Sequence, residues 1–234
     1  MEIKKDILIN FLRKVSINGN IDSLVLVFDE EGLKTKVQNP SYTIALAGLL
    51  KKEAFIKYEC YKDGIGLKDV NKLLTILKNM DDEITIKLSD NFIIFKDKNR
   101  NFKSVLIDIE YIDSKIKSLP NIEFSGETII NSSIIKKCNN VCTTYNSDLI
   151  KISIKNKIIS FTVSINKNDE YHEEIEFDYK DINDLNFSQP LLDLIQIFDD
   201  FIYLSLENNK PLQIKMKGND YFIKYIIAPL TTGD

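Results

Sequence analysis

A single histidine, His172, stands in 234 residues, so neither a Ser-His-Asp triad nor a histidine-based metal cage can readily be assembled. Of the three cysteines, Cys138 and Cys142 lie four apart. On one helix face they could hold a metal with other ligands, but two small core residues fit that spacing better. Carboxylates pair at Asp81-Asp82 and Asp199-Asp200, the grouping that acid–base or Mg²⁺ chemistry uses. Each pair stands where a helical period gives way to alternation, which makes turn chemistry the stronger explanation. Gly64-x-Gly66 lacks the rest of a phosphate-cradling loop. The expectation is a protein that is not an enzyme, with no cofactor and no metal.

The chain instead carries a repeat of itself. Leu73-Leu74-Thr75-Ile76-Leu77 through Asp81-Asp82-Glu83-Ile84-Thr85-Ile86-Lys87-Leu88 aligns without a gap on Leu191-Leu192-Asp193-Leu194-Ile195 through Asp199-Asp200-Phe201-Ile202-Tyr203-Leu204-Ser205-Leu206, 118 residues on. A period of half the chain implies duplicated domains rather than a solenoid. Two like domains invite assembly into a pseudo-symmetric ring.

Bulk properties set limits. Hydrophobic residues at 44% and charged residues at 28% are ordinary for a soluble globular chain. A net charge of −4 argues against a generally basic nucleic-acid binder. Three cysteines without a CxxC pair point to a reducing compartment. The start, Met1-Glu2-Ile3-Lys4-Lys5-Asp6, has charges where a signal peptide needs an apolar core. No run approaches the roughly 20 apolar residues of a membrane span. These features predict an intracellular protein of the cytoplasm or nucleoid, or of a nucleus or viral replication site.

Apolar spacing predicts helices over 3–15, 68–78, 132–145 and 188–200. Alternation and turn residues predict strands over 23–28, 33–37, 54–60, 64–67, 83–88, 91–96 and 102–109. In the second half residues 128–130 lead into the third helix, and strands are predicted over 149–154, 157–165, 172–179, 201–207, 211–217 and 220–227. The class is α+β, with domains over 1–110 and 124–234 joined by a connector over 111–123. That connector has alternating charge and the break Leu119-Pro120.

Several stretches resemble the sliding clamps of the PCNA family. Asn39-Pro40-Ser41-Tyr42-Thr43-Ile44-Ala45-Leu46, followed by Phe55-Ile56-Lys57-Tyr58-Glu59-Cys60, is similar to the family's DSSHVSLV segment and F-x-x-Y-x-C strand. Lys72-Leu73-Leu74 through Asp81-Asp82-Glu83-Ile84 resembles its second helix and the strand after it. Leu119-Pro120-Asn121-Ile122-Glu123-Phe124 resembles the end of its interdomain connector. Pro211-Leu212-Gln213-Ile214 and Lys224-Tyr225-Ile226-Ile227-Ala228-Pro229 resemble its C-terminal strands. Order and spacing over some 190 residues make the set specific. The resemblance implies two similar clamp domains, each with two helices packed on antiparallel sheets. Three chains would then form a pseudo-six-fold ring around double-stranded DNA, a DNA polymerase processivity factor that also serves repair. The implied partners are a DNA polymerase, a clamp-loader ATPase, PIP-type peptide clients and further copies of the chain. The resemblance also leaves room for a heterotrimer or checkpoint-type subunit; outside it, a duplicated protein-binding scaffold that never touches DNA remains open.

Charge offers a separate test. The implied DNA-facing residues are Lys4, Lys5, Arg13 and Lys14 on the first helix, Lys68, Lys72 and Lys78 on the second, and Lys136 and Lys137 on the third. With their acids these helices carry +3, +2 and +2, while segment 188–201 carries −3, with Asp193, Asp199 and Asp200. The four sum to +4 in a chain of −4, so the remainder carries −8. Such lysines are either solvated faces of amphipathic helices or a wall aimed at phosphates, blind to sequence and sensitive to salt. The acidic fourth segment departs from such a wall.

By the same resemblance, client peptides plug into a pocket at Gln38, Tyr42, Leu119, Pro120, Pro211, Ile226, Ala228 and Pro229. Ile226 and Ala228 could equally be core. Subunits would join by edge pairing of 102–109 with 172–179. Val105, Ile107 and Ile109 would then face Ile175, Phe177 and Tyr179, residues that could instead be internal core.

Overall fold

The computed structural model describes residues 1–166, 169–176, 181–187 and 189–230. Its contacts group into two compact units, residues 1–119 with 217–224, and residues 120–216 with the chain from 225.

In the first unit, strand β1 (Glu2–Lys4) runs straight into helix α1 (Lys5–Val15). Strands β2 (Leu24–Asp29), β3 (Gly32–Gln38), β4 (Ile44–Lys51), β5 (Phe55–Lys57) and β6 (Tyr61–Leu67) follow. Helix α2 (Val70–Lys78) then leads into the meander β7 (Glu83–Ser89), β8 (Phe92–Lys96) and β9 (Asn101–Val105). The strands form antiparallel sheets ordered β5-β1-β7-β8-β9 and β4-β3-β2-β6. Leu8, Phe11, Leu12 and Val15 on α1, and Val70, Leu73, Leu74 and Leu77 on α2, are buried at helical spacing. Strands β2 and β4 bury every second residue, so one face of their sheet meets the core. Helix α1 lies so close to β4 that a Cβ on Gly48 would come within 2.6 Å of Val15. The helix stops where Ile17, Asn18 and Gly19 take φ of 51, 53 and 93°, which turns the Asn18 N–H back onto Arg13 O at 2.7 Å.

The second unit holds β10 (Thr128–Asn131), α3 (Ser133–Tyr145), β11 (Ile150–Lys155), β12 (Ile158–Ser164), β13 (Glu170–Glu176), β14 (Ile182–Phe187) and α4 (Gln189–Ile195). Strands β15 (Phe201–Ser205), β16 (Leu212–Lys217) and β17 (Tyr221–Ile227) complete the second repeat, with residues 217–224 grouping with the first unit. Its sheets run β13-β12-β11-β14 and β10-β15-β16-β17, matching β4-β3-β2-β6 and β1-β7-β8-β9 strand for strand. Ile3 faces Ile84 across β1 and β7, and Ile130 faces Ile202 across β10 and β15. The N–H of Lys5 donates to Asp82 O at 2.7 Å, and that of Ser132 to Asp200 O at 2.8 Å. Both Asp-Asp pairs are therefore corners whose main-chain carbonyls take up an otherwise orphaned N–H where a helix begins.

Several boundaries differ from expectation. Residues 2–4 are strand because Ile3 pairs with both Ile84 and Phe55, so Lys4 precedes α1. Asp69 turns left-handed at φ 54°, which leaves Lys68 ahead of α2. The fourth helix ends at Ile195, so Asp199 and Asp200 belong to the corner before β15. Strand β9 ends at Val105. Beyond it the Ile107 N–H donates to Gly66 O at 3.0 Å, and Ile109 opens a 3₁₀ turn. Strands β4 and β14 were not expected as strands, and β13 is described only over 170–176.

Candidate nucleic-acid interface and assembly edges

The nine cationic candidates divide by environment. Lys4 and Lys68 are exposed but lie outside the helices. The Lys5 ammonium donates to Met80 O at 2.8 Å and lies 3.7 Å from Asp82, with its side chain only 16% exposed. Lys14 is buried, its ammonium 5.4 Å above the Tyr221 ring. Arg13, Lys72, Lys78, Lys136 and Lys137 remain on helices with exposed or half-exposed side chains. Among them Lys137 reaches Glu173 on β13 at 3.3 Å. Helix α4 itself carries one acid, Asp193, against three in the segment read from sequence.

Sequence reasoning counted only charges and so missed the amides and hydroxyls among these cations. Asn10 is exposed on α1, Asn71 and Thr75 on α2, and Ser133, Asn140 and Thr144 on α3. The Thr75 and Thr144 hydroxyls donate to Asn71 O at 3.0 Å and Asn140 O at 2.8 Å. The signal that could have found them is the recurrence of Asn, Ser and Thr at three- and four-residue spacing opposite the apolar stripe.

Strands β9 and β13 each stand at one end of a sheet among the described residues. Strand β9 is held on β8 by Phe95 against Phe102, 6.4 Å between ring centres, and by Lys103 lying 3.5 Å over Phe92. Its Val105 is 55% exposed, while Ile107 and Ile109 are half-buried beyond the strand. Strand β13 alternates, with Glu170, His172, Glu174 and Glu176 exposed and Tyr171, Glu173 and Ile175 half-buried. Phe177 and Tyr179 lie outside the described residues. The Tyr171 hydroxyl donates to Glu173. That bond, with help from Lys137, holds the Glu173 carboxyl below its ordinary range and pushes the Tyr171 phenol up to about 12. Strand β4, the counterpart of β13, is covered. Within the first unit residues 219–224 run along it, with the Lys51 N–H on Asp220 O and the Lys51 ammonium on Asn219 O, both at 2.8 Å.

The pocket candidates divide between the two units. In the first, Gln38 ends β3 half-buried, with its N–H on Ser114 O at 2.8 Å, and Leu119 is half-buried. Tyr42 is 71% exposed at φ 57° on a turn tied by Asn39, whose side-chain oxygen accepts from the N–H groups of Thr43 and Ile44. In the second, Pro120 and Ala228 are exposed, Pro211 and Pro229 half-buried, and Ile226 buried.

Cys138 and Cys142 are buried on α3 beside Ile135. Burial, with the Glu173 charge, pushes the Cys138 thiol up to about 12, so it stays protonated at neutral pH.

No protein-family model matches the chain. A DNA polymerase sliding clamp of Methanococcus vannielii is 22% identical to it, over 94% of this chain and 95% of the relative. Among solved structures, the PCNA of Entamoeba histolytica superposes with a TM-score of 0.82 at 18% identity, covering 98% of each chain. An A. fulgidus PCNA bound to the C-terminal region of FEN-1 gives 0.84 at 16% identity, over 100% of this chain and 98% of that one. The PCNA2–PCNA3 complex of Sulfolobus tokodaii gives 0.79 at 16%, over 98% and 99%. The fold is the DNA clamp fold, two similar α+β units with antiparallel sheets.

Proposed function

We infer that this PCNA-like chain is a DNA sliding clamp, a ring that encircles duplex DNA and tethers a DNA polymerase and other replication factors. It catalyses no reaction and works inside the cell, where its DNA is copied. The observation that carries the reading is the mismatch between the two repeats at their sheet edges. In the first unit β4 is covered by the start of β17, the last strand of the second repeat. Among the described residues its counterpart β13, and β9, the counterpart of β17, stand at the ends of their sheets. Pairing β9 of one copy with β13 of the next would cover both of these ends. Such a head-to-tail contact generates a closed ring when its rotation closes. Three two-unit copies make six like units. Glu170, Glu174 and Glu176 on β13 suit a partner strand that carries Lys103 with Arg100 beside it, and repel a second β13.

Arg13, Lys72, Lys78, Lys136 and Lys137 supply a diffuse positive field, and the Asn, Ser and Thr side chains among them supply uncharged donors. Contacts of this kind hold phosphates without reading bases, which permits sliding. A closed ring cannot thread onto circular DNA unaided, so a loader ATPase is a required partner. Clients with a short helical turn and apolar anchors would dock at Gln38, Tyr42, Leu119, Pro120, Pro211, Ile226, Ala228 and Pro229.

The test has two parts. Light scattering on the purified chain should give about three times the chain mass. With loader and ATP, the chain should stay on circular DNA and leave it on linearisation. A stable monomer that closes a ring only with a different clamp chain would make it one subunit of a heteromer. Equal retention on linear and circular DNA would sink the clamp reading.

A further inference from the structure

We propose that Glu173 on β13 withholds the Lys137 ammonium from DNA, so that α3 meets phosphates through Lys136 alone. Glu173 acts through Lys137 and is a positioning residue, not a contact. The inference rests on the DNA reading above and decides which of its cations are available.

The hairpins set the correspondence between the repeats. Phe28 pairs with Leu33 beside the turn of β2 and β3, and Ile154 with Ile159 beside the turn of β11 and β12. Two residues further along, Thr35 faces Gly48 in the first repeat, and Phe161 faces Glu173 in the second. Counted from the shared corner at Lys5 and Ser132, Asn10 and Phe11 on α1 match Lys137 and Cys138 on α3. In the first repeat helix and sheet touch at Gly48, where a Cβ would come within 2.6 Å of Val15 and 3.3 Å of Phe11. In the second the small residue has moved to the helix, as the buried Cys138, and the sheet supplies a glutamate. Such an exchange keeps the summed volume close to constant, which packing tolerates. It also sets a carboxylate against the helix, with Lys137 where α1 has the uncharged Asn10.

The Lys137 ammonium lies 3.3 and 3.4 Å from the two Glu173 carboxylate oxygens, one of which also accepts from the Tyr171 hydroxyl. That hydroxyl holds the carboxylate toward the helix and favours its charged form. The Glu173 side chain is 19% exposed and that of Lys137 58%, so the lysine is free to swing outward and the acid is not. A half-buried charge that loses its partner is costly, and no other cation among the described residues pairs with Glu173. A phosphate must therefore displace Glu173 to gain Lys137, whereas Lys136 has no ion pair among the described residues. Part-exposed ion pairs are modest in strength, so the effect is a few-fold one.

A short fluorescein-labelled duplex, titrated by anisotropy into the full chain over a series of salt concentrations, tests this. Glu173→Gln keeps an acceptor for Tyr171 and removes the charge. It should tighten binding about two- to fivefold and steepen the slope of log affinity against log salt by about one. Lys137→Gln alone should change neither, and it should abolish the gain from Glu173→Gln. Mere loss of a negative charge would give the same gain in both backgrounds. A circular-dichroism melt checks that the variants fold, and the exposed Lys137→Gln keeps the test decisive if Glu173→Gln does not. Three results overturn the proposal: no gain from Glu173→Gln, an equal gain with and without Lys137, or a slope that Lys137→Gln alone flattens. Absence of duplex binding by the unaltered chain overturns it together with the DNA reading, whereas binding indifferent to Glu173→Gln leaves that reading intact.

Discussion

In the first repeat Lys5 begins the helix and its ammonium ties the corner to Met80 O and Asp82. In the second Ser132 stands there, completely buried, and its hydroxyl donates to Asp199 O at 2.6 Å. One main-chain bond, from the residue at the helix start to the second aspartate, is common to both. Backbone geometry is therefore what duplication preserved, while the side chains around it diverged. Divergence is greatest where a strand is covered in one repeat and left uncovered in the other. Strand β4 is lined by residues 219–224, whereas β13 ends its sheet among the described residues.

The sharpest way to break the comparison is to spoil an uncovered edge without touching its covered side. The Leu106 N–H points to Asn91 O at 2.9 Å. By alternation the Phe102 and Ser104 N–H groups face β8, and those of Lys103 and Val105 face outward. Val105→Pro removes an outward donor and costs no internal ladder bond. The expected result is a folded chain of monomer mass by light scattering; an unchanged trimer mass would remove β9 from the ring contact. Charge reversal comes next. Lys72→Glu with Lys78→Glu, and separately Lys136→Glu with Lys137→Glu, should each lower primer extension per loading event. Each lost phosphate contact should lower the slope of log affinity against log salt by about one. Equal losses from the two pairs would mean that both repeats face DNA alike. A loss from the first pair alone would mean that Lys137 is committed to Glu173.

The repeat and the four helices were legible because an apolar stripe is a local pattern, visible within one or two turns. Strand β4 was not, since Ala45, Ala47 and Gly48 blur the alternation of Ile44, Leu46 and Leu50. Strand β14 reads Ile182-Asn183-Asp184-Leu185-Asn186-Phe187, too polar to announce itself. Asp199 and Asp200 looked helical because nothing in their neighbourhood marks the stop at Ile195. The status of the lysines was the least legible. Lys14 is buried by Tyr221, some two hundred residues away, and Lys5 is held by Met80. Such contacts depend on tertiary structure and leave no trace in local spacing.

Acid titration separates the two corners further. In the first unit Asp97 accepts from the N–H groups of Asp81 at 2.8 Å, Asn99 at 2.8 Å and Arg100 at 2.6 Å. Burial pushes its carboxyl up, but those three donors and the Arg100 charge outweigh burial and hold it below the ordinary aspartate value. A carboxyl with a depressed pKa contributes stability that is present above its unfolded value and is lost as pH falls through the folded one. Asp97→Asn should therefore lower stability at neutral pH and flatten the urea midpoint's dependence on pH below about 4. An unchanged pH profile would mean that Asp97 titrates alike in both states.

The smallest effects belong to the corner residues themselves, where the two repeats can be compared bond for bond. Ser132→Ala removes the hydrogen bond that the buried Ser132 hydroxyl gives to Asp199 O, at a cost of about 1 kcal/mol. Lys5→Met keeps the aliphatic stem packed and removes the ammonium from a part-exposed carbonyl and the exposed Asp82. Exposed ion pairs contribute little, so this change should cost under about 1 kcal/mol. Urea unfolding of both variants checks the order. If Lys5→Met proved the more damaging, the ammonium rather than the shared main-chain bond would be holding the first corner, and the equivalence of the two corners would fail.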